Sequence, residues 1–92
     1  MQKLTLFVLN GCPYCRQAKA WLAELVAENP AYAAVPIEEI EEREQKALAD
    51  SYDYYYVPTF YMGSTKLHEG AATKEGMRTV LETALHAPES EK

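Results

Sequence analysis

Two cysteines separated by two residues are the clearest candidates for chemistry in this sequence. Cys12 and Cys15 are the only cysteines among its 92 residues, and Pro13 and Tyr14 stand between them. In a reducing compartment such a pair is more often catalytic or metal-binding than structural. At this spacing the two sulfur atoms are close enough to bond to each other, and a thiolate formed there could attack a disulfide.

The elements around the pair place it where a strand gives way to a helix. Residues 3–9 are rich in β-formers, and residues 14–28 carry apolar side chains at helical spacing. Pro13 suits the first helical position, because a missing N–H costs nothing there. Cys12 precedes the helix, where free backbone N–H groups and the positive end of the helix dipole lower the pKa of its thiol. We therefore predict that Cys12 attacks and that Cys15, which the helix covers more, resolves the mixed disulfide.

The rest of the chain predicts an α/β fold with the element order β-α-β-α-β-β-α. After the first strand and helix we predict a strand over 34–38, a helix over 38–50, strands over 57–62 and 66–69, and a helix over 74–86. The alternation in the first half implies a right-handed parallel crossover, and the later hairpin makes the four-stranded sheet mixed. Helices are expected on both faces of this sheet.

Individual residues support several of these boundaries. Asn29–Pro30 ends the first helix, and Thr73 can cap the last one. Pro36 indicates that the second strand lies at an edge of the sheet. The glutamates that open the 38–50 helix are interpreted as a solvated face. The last helix is expected to bury four apolar side chains: Met77, Val80, Leu81 and Leu85.

The step from Val57 to Pro58 lies where the third strand should begin. A proline at a strand start is tolerated at a sheet edge, which is one interpretation. In the other, the bond between the two residues is cis and presents the backbone of Val57 as a short strand for substrate pairing. The residues alone leave both interpretations open.

With these motifs in place the chain resembles the glutaredoxin family, within the thioredoxin-like superfamily. Three segments carry the resemblance: Cys12-Pro13-Tyr14-Cys15, Ala18-Lys19 and Val57-Pro58-Thr59-Phe60. It implies a thioredoxin-like fold of a four-stranded mixed sheet and three helices. It also implies that Cys12 is the nucleophile, Cys15 the resolving thiol and Pro58 a cis residue beside them. Glutathione is then the implied co-substrate, and the reaction needs no bound metal or organic cofactor.

The resemblance also suggests which residues contact glutathione or another substrate. The candidates are Pro13, Tyr14, Arg16, Tyr56, Val57, Pro58, Gly70, Ala71, Ala72 and Thr73. The family usually has two adjacent glycines and an aspartate before the last helix, whereas here Glu69 is followed by one glycine, two alanines and a threonine. Tyr56 replaces the usual threonine, and no lysine precedes Cys12 closely. The electron donor is accordingly expected to be glutathione or a thioredoxin reductase.

Other side chains have competing interpretations. Arg16 and Lys19 could favour the Cys12 thiolate or hold a carboxylate of glutathione, or they could serve solubility alone. Tyr14 should be exposed and act as a platform for substrate. Tyr56 is open to two interpretations, as part of the site groove or as a solvated residue.

The remaining aromatic residues are expected to serve the fold. Tyr52 and Tyr54 should pack beneath a helix, while Tyr55 faces water. Trp21, Phe7 and Phe60 are predicted core residues, and His68 should face solvent on the fourth strand.

Composition limits the classes of function. Apolar residues make up 48% of the chain and the formal net charge is −5. Such a chain folds as a globular protein, and its acidic balance argues against nucleic acid as the main partner. The apolar run 4–9 is too short for a signal-peptide core or a membrane span. We expect a monomeric cytoplasmic protein with one domain over 1–87 and a charged tail over 88–92. Its expected partners are disulfide-containing proteins or glutathione mixed disulfides.

Two hypotheses of other classes stay open. The thiols could hold a metal or an iron–sulfur cluster between two subunits. A zinc site within one chain would need two more ligands, and the spacing of His68 and His86 fits no common zinc signature. Alternatively, the fold could be a protein-interaction scaffold with inert cysteines.

Overall fold

The computed structural model describes residues 1–88, and in that range it contains four strands, three α-helices and one 3-10 helix. The strands are β1 (Leu4–Val8), β2 (Ile37–Glu41), β3 (Thr59–Met62) and β4 (Thr65–Glu69). The helices are α1 (Pro13–Glu28), α2 (Lys46–Asp50) and α3 (Lys74–His86), and the 3-10 helix is Pro30–Ala34. The predicted tail over 88–92 lies outside the described residues apart from Pro88.

The four strands form one mixed sheet in the order β2-β1-β3-β4. β1 runs parallel to β2 and antiparallel to β3, and β3 forms a hairpin with β4. The crossover from β1 to β2 passes through α1, as the alternation of elements predicts. β2 is an edge strand, so the expectation drawn from Pro36 is confirmed.

Two apolar clusters cover the two faces of the sheet. On one face, Leu4, Leu6 and Val8 of β1 pack with Phe60 and the buried sides of α1 and α3. On the other face, Phe7 packs with Ile40, Tyr61 and Ala49 of α2. Successive side chains of a strand point to opposite faces, so β1 supplies both clusters and is buried along its whole length. The prediction of helices on both faces is confirmed.

Local signals define the start of α1 and α3. α1 begins at Pro13 and ends before Asn29, as predicted. Asn29 also accepts a hydrogen bond from the Ala31 N–H and so caps a 3-10 helix that the sequence analysis did not predict. The hydroxyl of Thr73 accepts from the Gly76 N–H at 2.9 Å, which confirms the predicted cap of α3.

The predicted helix over 38–50 is wrong. Residues 38–41 belong to β2, a turn follows, and α2 spans only Lys46–Asp50. The predicted strand over 34–38 begins too early, because Pro30–Ala34 forms a 3-10 helix and pairing with β1 starts only at Ile37. Glutamate favours helices, but pairing with β1 places Ile40 opposite Phe7 and buries it, and this tertiary contact outweighs local preference. Glu41 is buried and not part of a solvated helix face.

Smaller differences concern which side chains are buried. In α3, Met77, Val80 and Leu81 are buried as predicted, but Ala84 takes the place expected of Leu85, which is partly buried. Trp21 is likewise only partly buried against the core. β3 begins at Thr59, two residues later than predicted, because Val57 and Pro58 belong to the preceding loop.

His68 also departs from its prediction. Its side chain is partly buried against Phe60 instead of facing solvent, and Nε2 lies 2.8 Å from the carbonyl oxygen of Gly70.

α1, with 16 residues, and α3, with 13 residues, are the two long helices of the described chain. Within residues 1–88, no helix is both long enough and apolar enough to cross a lipid bilayer.

Candidate active site

Strand register brings two loops to the same end of the sheet. Val8, the last residue of β1, pairs with Glu41 at the end of parallel β2. Phe7 pairs with Thr59, the first residue of antiparallel β3. The loop that carries Cys12 and the loop that precedes Thr59 therefore open at one end of the sheet. Such an end, outside the strands, is where α/β sheets commonly bind ligands.

The second of these loops contains the Val57–Pro58 step, whose peptide bond is cis. This agrees with the second interpretation given above and with the expectation drawn from the resemblance. Pro58 is fully buried, and its carbonyl oxygen accepts a hydrogen bond from the Gly70 N–H at 2.9 Å. Val57 and Cys12 pack against the same hydrophobic cluster.

The two cysteines differ in exposure. Cys12 is the N-cap residue of α1, and its carbonyl oxygen accepts from the Arg16 N–H at 3.1 Å. Cys12 is partly buried, whereas only 2% of Cys15 is exposed. Solvent and incoming molecules can therefore reach the first thiol but not the second.

The surroundings of Cys12 favour its thiolate. Burial acts to raise the pKa of this thiol, but hydrogen bonds from the Cys15 N–H, the Cys15 thiol and the Tyr14 N–H outweigh it. The positive charge of Arg16 adds to them, so the pKa of Cys12 lies below that of an ordinary cysteine. Backbone N–H groups that lack partners in the first turn of a helix stabilise an anion at this position.

The surroundings of Cys15 favour its neutral thiol. Burial and the neighbouring Cys12 sulfur raise the pKa of Cys15 to about 11, although a backbone hydrogen bond from Leu9 and the nearby Lys19 charge act to lower it. The first proton to leave the pair is therefore that of Cys12.

The two basic residues of α1 lie beside the thiols. Arg16 and Lys19 line a small cavity of about 170 Å³ together with both cysteines. The Lys19 ammonium also pairs with the Glu39 carboxylate of β2 at 2.8 Å, so its charge is partly neutralised. Arg16 is the more available cation at the cavity.

The tyrosines divide into packed and exposed groups. The ring centroids of Tyr52 and Tyr54 lie 4.8 and 5.0 Å from that of Phe7, which confirms that these two belong to the fold. Tyr14 is 61% exposed, Tyr56 is 70% exposed and Tyr55 is 85% exposed. The expected exposure of Tyr14 is thereby confirmed.

The residues of the turn before α3 differ in what they contact. Gly70 adopts φ +93°, a conformation that favours glycine, and it lies against Tyr56, whose Cβ would be 3.8 Å from an added Cβ. Ala71 is exposed, Ala72 packs against the core between α1 and α3, and the Thr73 hydroxyl is engaged as the helix cap. The structure thus brings Gly70 next to the Tyr56–Pro58 segment, whereas the three residues after it serve the start of α3.

Two carboxylates accept hydrogen bonds from the backbone of the two loops at the site, and the sequence analysis did not predict either contact. The Glu41 carboxylate accepts from the Asn10 N–H at 2.7 Å, two residues before Cys12. The Glu69 carboxylate accepts from the N–H groups of Tyr55 and Tyr56. Each contact joins segments far apart in the chain, and no local pattern in the sequence indicates them.

Over residues 1–88 the structure contains no group of three or more histidine, cysteine, aspartate or glutamate side chains arranged to hold a metal ion.

Solved structures similar to this chain include thioredoxins and a thioredoxin-like protein. Oxidised thioredoxin from Plasmodium falciparum is 14% identical, with a TM-score of 0.67 over 88% of this chain and 78% of its own. A variant thioredoxin from Halobacterium salinarum is 21% identical, with a TM-score of 0.65 over 94% of this chain and 76% of its own. An uncharacterised thioredoxin-like protein from Clostridium perfringens is 24% identical, with a TM-score of 0.65 over 91% of this chain and 71% of its own. At these identities the likeness establishes the fold alone.

Sequence comparison identifies the family. No curated protein matches the chain significantly. A protein-family model described as Glutaredoxin matches residues 4–66, which is more than half of the chain and includes both cysteines and the cis-proline. The chain therefore belongs to the glutaredoxin family.

Proposed function

We propose that this protein is a dithiol–disulfide oxidoreductase in which Cys12 attacks the substrate and Cys15 resolves the intermediate. The observation that carries the proposal is the contrast between the two thiols. Cys12 is accessible with a lowered pKa, and Cys15 is buried with a raised pKa. Membership of the glutaredoxin family supports this general kind of function.

The proposed reaction moves two electrons from the protein to the substrate. The Cys12 thiolate attacks one sulfur of a disulfide, so that a mixed disulfide forms on Cys12 and the other substrate sulfur leaves as a thiolate. Cys15 then loses its proton and attacks the Cys12 sulfur. The Cys12–Cys15 disulfide forms, the second substrate sulfur leaves, and the substrate is reduced to two thiols.

The substrate is proposed to bind around the two loops described above. Tyr14 in the first turn of α1 and Tyr56 in the loop before β3 offer exposed aromatic surface, and Arg16 offers a positive charge beside Cys12. Pro13 and Val57 complete this surface, and the buried Pro58 holds Val57 in place. Proteins with disulfides and mixed disulfides of glutathione are the proposed substrates.

Either glutathione or a thioredoxin reductase is proposed to reduce the Cys12–Cys15 disulfide. The turn Gly70-Ala71-Ala72-Thr73 carries one glycine and no aspartate, which leaves fewer groups to hold glutathione. In the glutathione route two molecules of glutathione are oxidised to one disulfide. In the other route the reductase supplies two electrons from NADPH.

The test is a comparison of electron donors. The oxidised protein is mixed with bis(2-hydroxyethyl) disulfide, and NADPH consumption is followed with glutathione plus glutathione reductase, and separately with thioredoxin reductase. Cys12→Ser is the inactive control. Turnover with either donor that requires Cys12 supports the proposal and identifies the donor. Turnover with neither donor, or equal turnover by Cys12→Ser, contradicts it.

A further inference from the structure

The loop that leads into the cis-proline is held by side chains of the β3–β4 hairpin. Residues 53–58 form no helix or strand, yet several of their backbone atoms have side-chain partners. The carbonyl oxygen of Asp53 accepts from the Tyr61 hydroxyl at 2.5 Å and from the Lys66 ammonium at 3.1 Å. The carbonyl oxygen of Tyr56 accepts from the Thr59 hydroxyl.

Glu69, the last residue of β4, holds the middle of this loop. Its Oε2 accepts from the Tyr55 N–H at 2.5 Å and from the Tyr56 N–H at 3.0 Å. Its Oε1 pairs with the Lys66 ammonium at 2.7 Å, and the Glu69 side chain is only 21% exposed. Hydrogen bonds of this kind, from N–H groups to a charged oxygen, are among the stronger ones in proteins.

The charge state of Glu69 is fixed by the same contacts. The Lys66 ammonium and the two backbone N–H groups lower the pKa of Glu69 to about 2. The side chain is therefore a carboxylate at any pH at which thiol–disulfide exchange runs.

We refer to the hydrogen bonds from the Tyr55 and Tyr56 N–H groups to Glu69 as the tether. The tether holds the loop by its backbone and leaves these two side chains exposed. Tyr55 and Tyr56 are held through their backbone N–H groups, while their rings are 85% and 70% exposed. Val57 follows directly and packs against the same cluster as Cys12. A loop ordered before the substrate arrives loses less entropy on binding, which increases affinity.

We propose that Glu69 is a positioning residue that holds the Tyr55–Tyr56 backbone and thereby fixes the Val57–Pro58 step beside Cys12 for substrate binding. The inference rests on the proposed function. It assigns to Glu69 an effect on KM through the loop and no contact with the reacting sulfur atoms.

Two variants of Glu69 can separate the effect of its hydrogen bonds to the loop backbone from the effect of its ion pair with Lys66. Both backbone N–H groups bond to one oxygen of Glu69, so the carbonyl oxygen of Glu69→Gln can still accept from them. Its amide would face the Lys66 ammonium and lose that ion pair. Glu69→Ala removes all three contacts. Glu38→Gln is the matched control, because Glu38 pairs with Lys3 on the exposed side of β2, away from the loop.

Amide hydrogen exchange tests the tether without reference to activity. In Glu69→Ala we expect exchange at Tyr55 and Tyr56 to become about fivefold faster, since a lost hydrogen bond contributes on the order of 1 kcal/mol. Glu69→Gln should fall between this variant and the parent, and Glu38→Gln should match the parent. Unchanged exchange at both tyrosines in Glu69→Ala would overturn the proposal. If Glu69→Ala does not fold, Glu69→Met takes its place, because it keeps the apolar part of the side chain and removes both oxygen atoms. Unchanged exchange at both tyrosines in Glu69→Met would then overturn the proposal.

Steady-state kinetics then test the consequence for the substrate. The substrate is a cysteine peptide in mixed disulfide with glutathione. For Glu69→Ala we expect KM to rise about fivefold with a much smaller change in kcat, in line with about one lost hydrogen bond. Glu69→Gln should recover most of the lost affinity. A fivefold fall of kcat with an unchanged KM in Glu69→Ala would contradict a positioning role.

The two proposals fail in distinguishable ways. If the parent protein shows no turnover with any donor, the proposed function is wrong, yet the exchange experiment still decides whether Glu69 tethers the loop. If the parent turns over and the Glu69 variants match it in both KM and amide exchange, the positioning role alone is wrong.

Discussion

At the scale of single residues, two chemically identical side chains acquire different properties from their neighbours. Cys12 is the N-cap residue of α1, where N–H groups of the first helical turn stabilise its thiolate. Cys15, one turn later, faces the core, and its burial outweighs the backbone hydrogen bond that favours its thiolate. The order of reaction in a dithiol pair therefore follows from where each residue lies on the helix.

This contrast predicts the pH dependence of alkylation. The rate at Cys12 should rise with pH through its lowered pKa and reach a plateau at a lower pH than the rate of free cysteine does. Cys15 should stay unmodified at neutral pH, because its pKa is raised to about 11. The measurement is reaction with limiting iodoacetamide across pH, followed by peptide mass spectrometry of each cysteine. Equal rates at both cysteines would contradict the assignment.

At the scale of elements, local signals predicted where α1 and α3 start, but not where β2 lies or where α2 starts. Pro13 and Thr73 act within one turn of their own position, and both boundaries were predicted correctly. The glutamates of 38–41 favour a helix by propensity, and only their pairing with β1 makes them a strand. Pairing with a distant segment is not encoded in a local pattern.

Glu41 at the end of β2 links this element to the active-site loop. Its carboxylate accepts from the N–H groups of Asn10 and Arg43 at 2.7 Å and of Glu44 at 3.1 Å. The hydrogen bond from Asn10 is the first cause of its lowered pKa. Because the pKa is lower in the folded state, the carboxylate adds stability above its unfolded pKa, and this is lost as pH falls through the folded pKa.

We predict that Glu41→Gln lowers the thermal unfolding midpoint at neutral pH. The amide places an N–H donor against a backbone N–H, which leaves at least one group without a partner. The difference in midpoint between variant and parent should shrink as the pH is lowered through the folded pKa. Thermal unfolding at several pH values measures this, with Glu38→Gln as the exposed control. A difference that is constant or grows toward acid would contradict the assigned role of Glu41.

At the scale of the whole molecule, β1 holds the two apolar clusters together and supports the site. Leu4, Leu6 and Val8 serve one face, while Phe7 serves the other among Ile40 and the packed tyrosines. The loop that carries Cys12 emerges from this buried strand. The site therefore rests on the most buried element of the described chain.

We predict that Phe7→Ala destabilises the fold by about 3–5 kcal/mol, the usual cost of truncating a fully buried phenylalanine. This is a large part of the stability of a typical domain. Tyr55→Ala is the matched control, since a largely exposed ring should change stability by less than about 0.5 kcal/mol. Urea unfolding measures both. A small effect of Phe7→Ala would mean that the cluster around it closes without the ring.

The sequence was most informative where chemistry is local and least where it is not. The Cys12–Cys15 motif and the hairpin after Pro58 were enough to predict the fold and the place of the site. The tethers from Glu41 and Glu69 depend on which strand ends meet in space. Their side chains carry no local signature, so they became visible only once the register of the sheet was known.

The central claim is that Cys12 attacks and Cys15 resolves. The most direct test treats reduced Cys15→Ser and Cys12→Ser with glutathione disulfide and follows the intact mass of each. The account predicts that Cys15→Ser forms a stable mixed disulfide on Cys12, since no second thiol can release it. Cys12→Ser should react at least about tenfold more slowly, because its remaining thiol is buried and protonated. Faster adduct formation by Cys12→Ser than by Cys15→Ser would contradict the account.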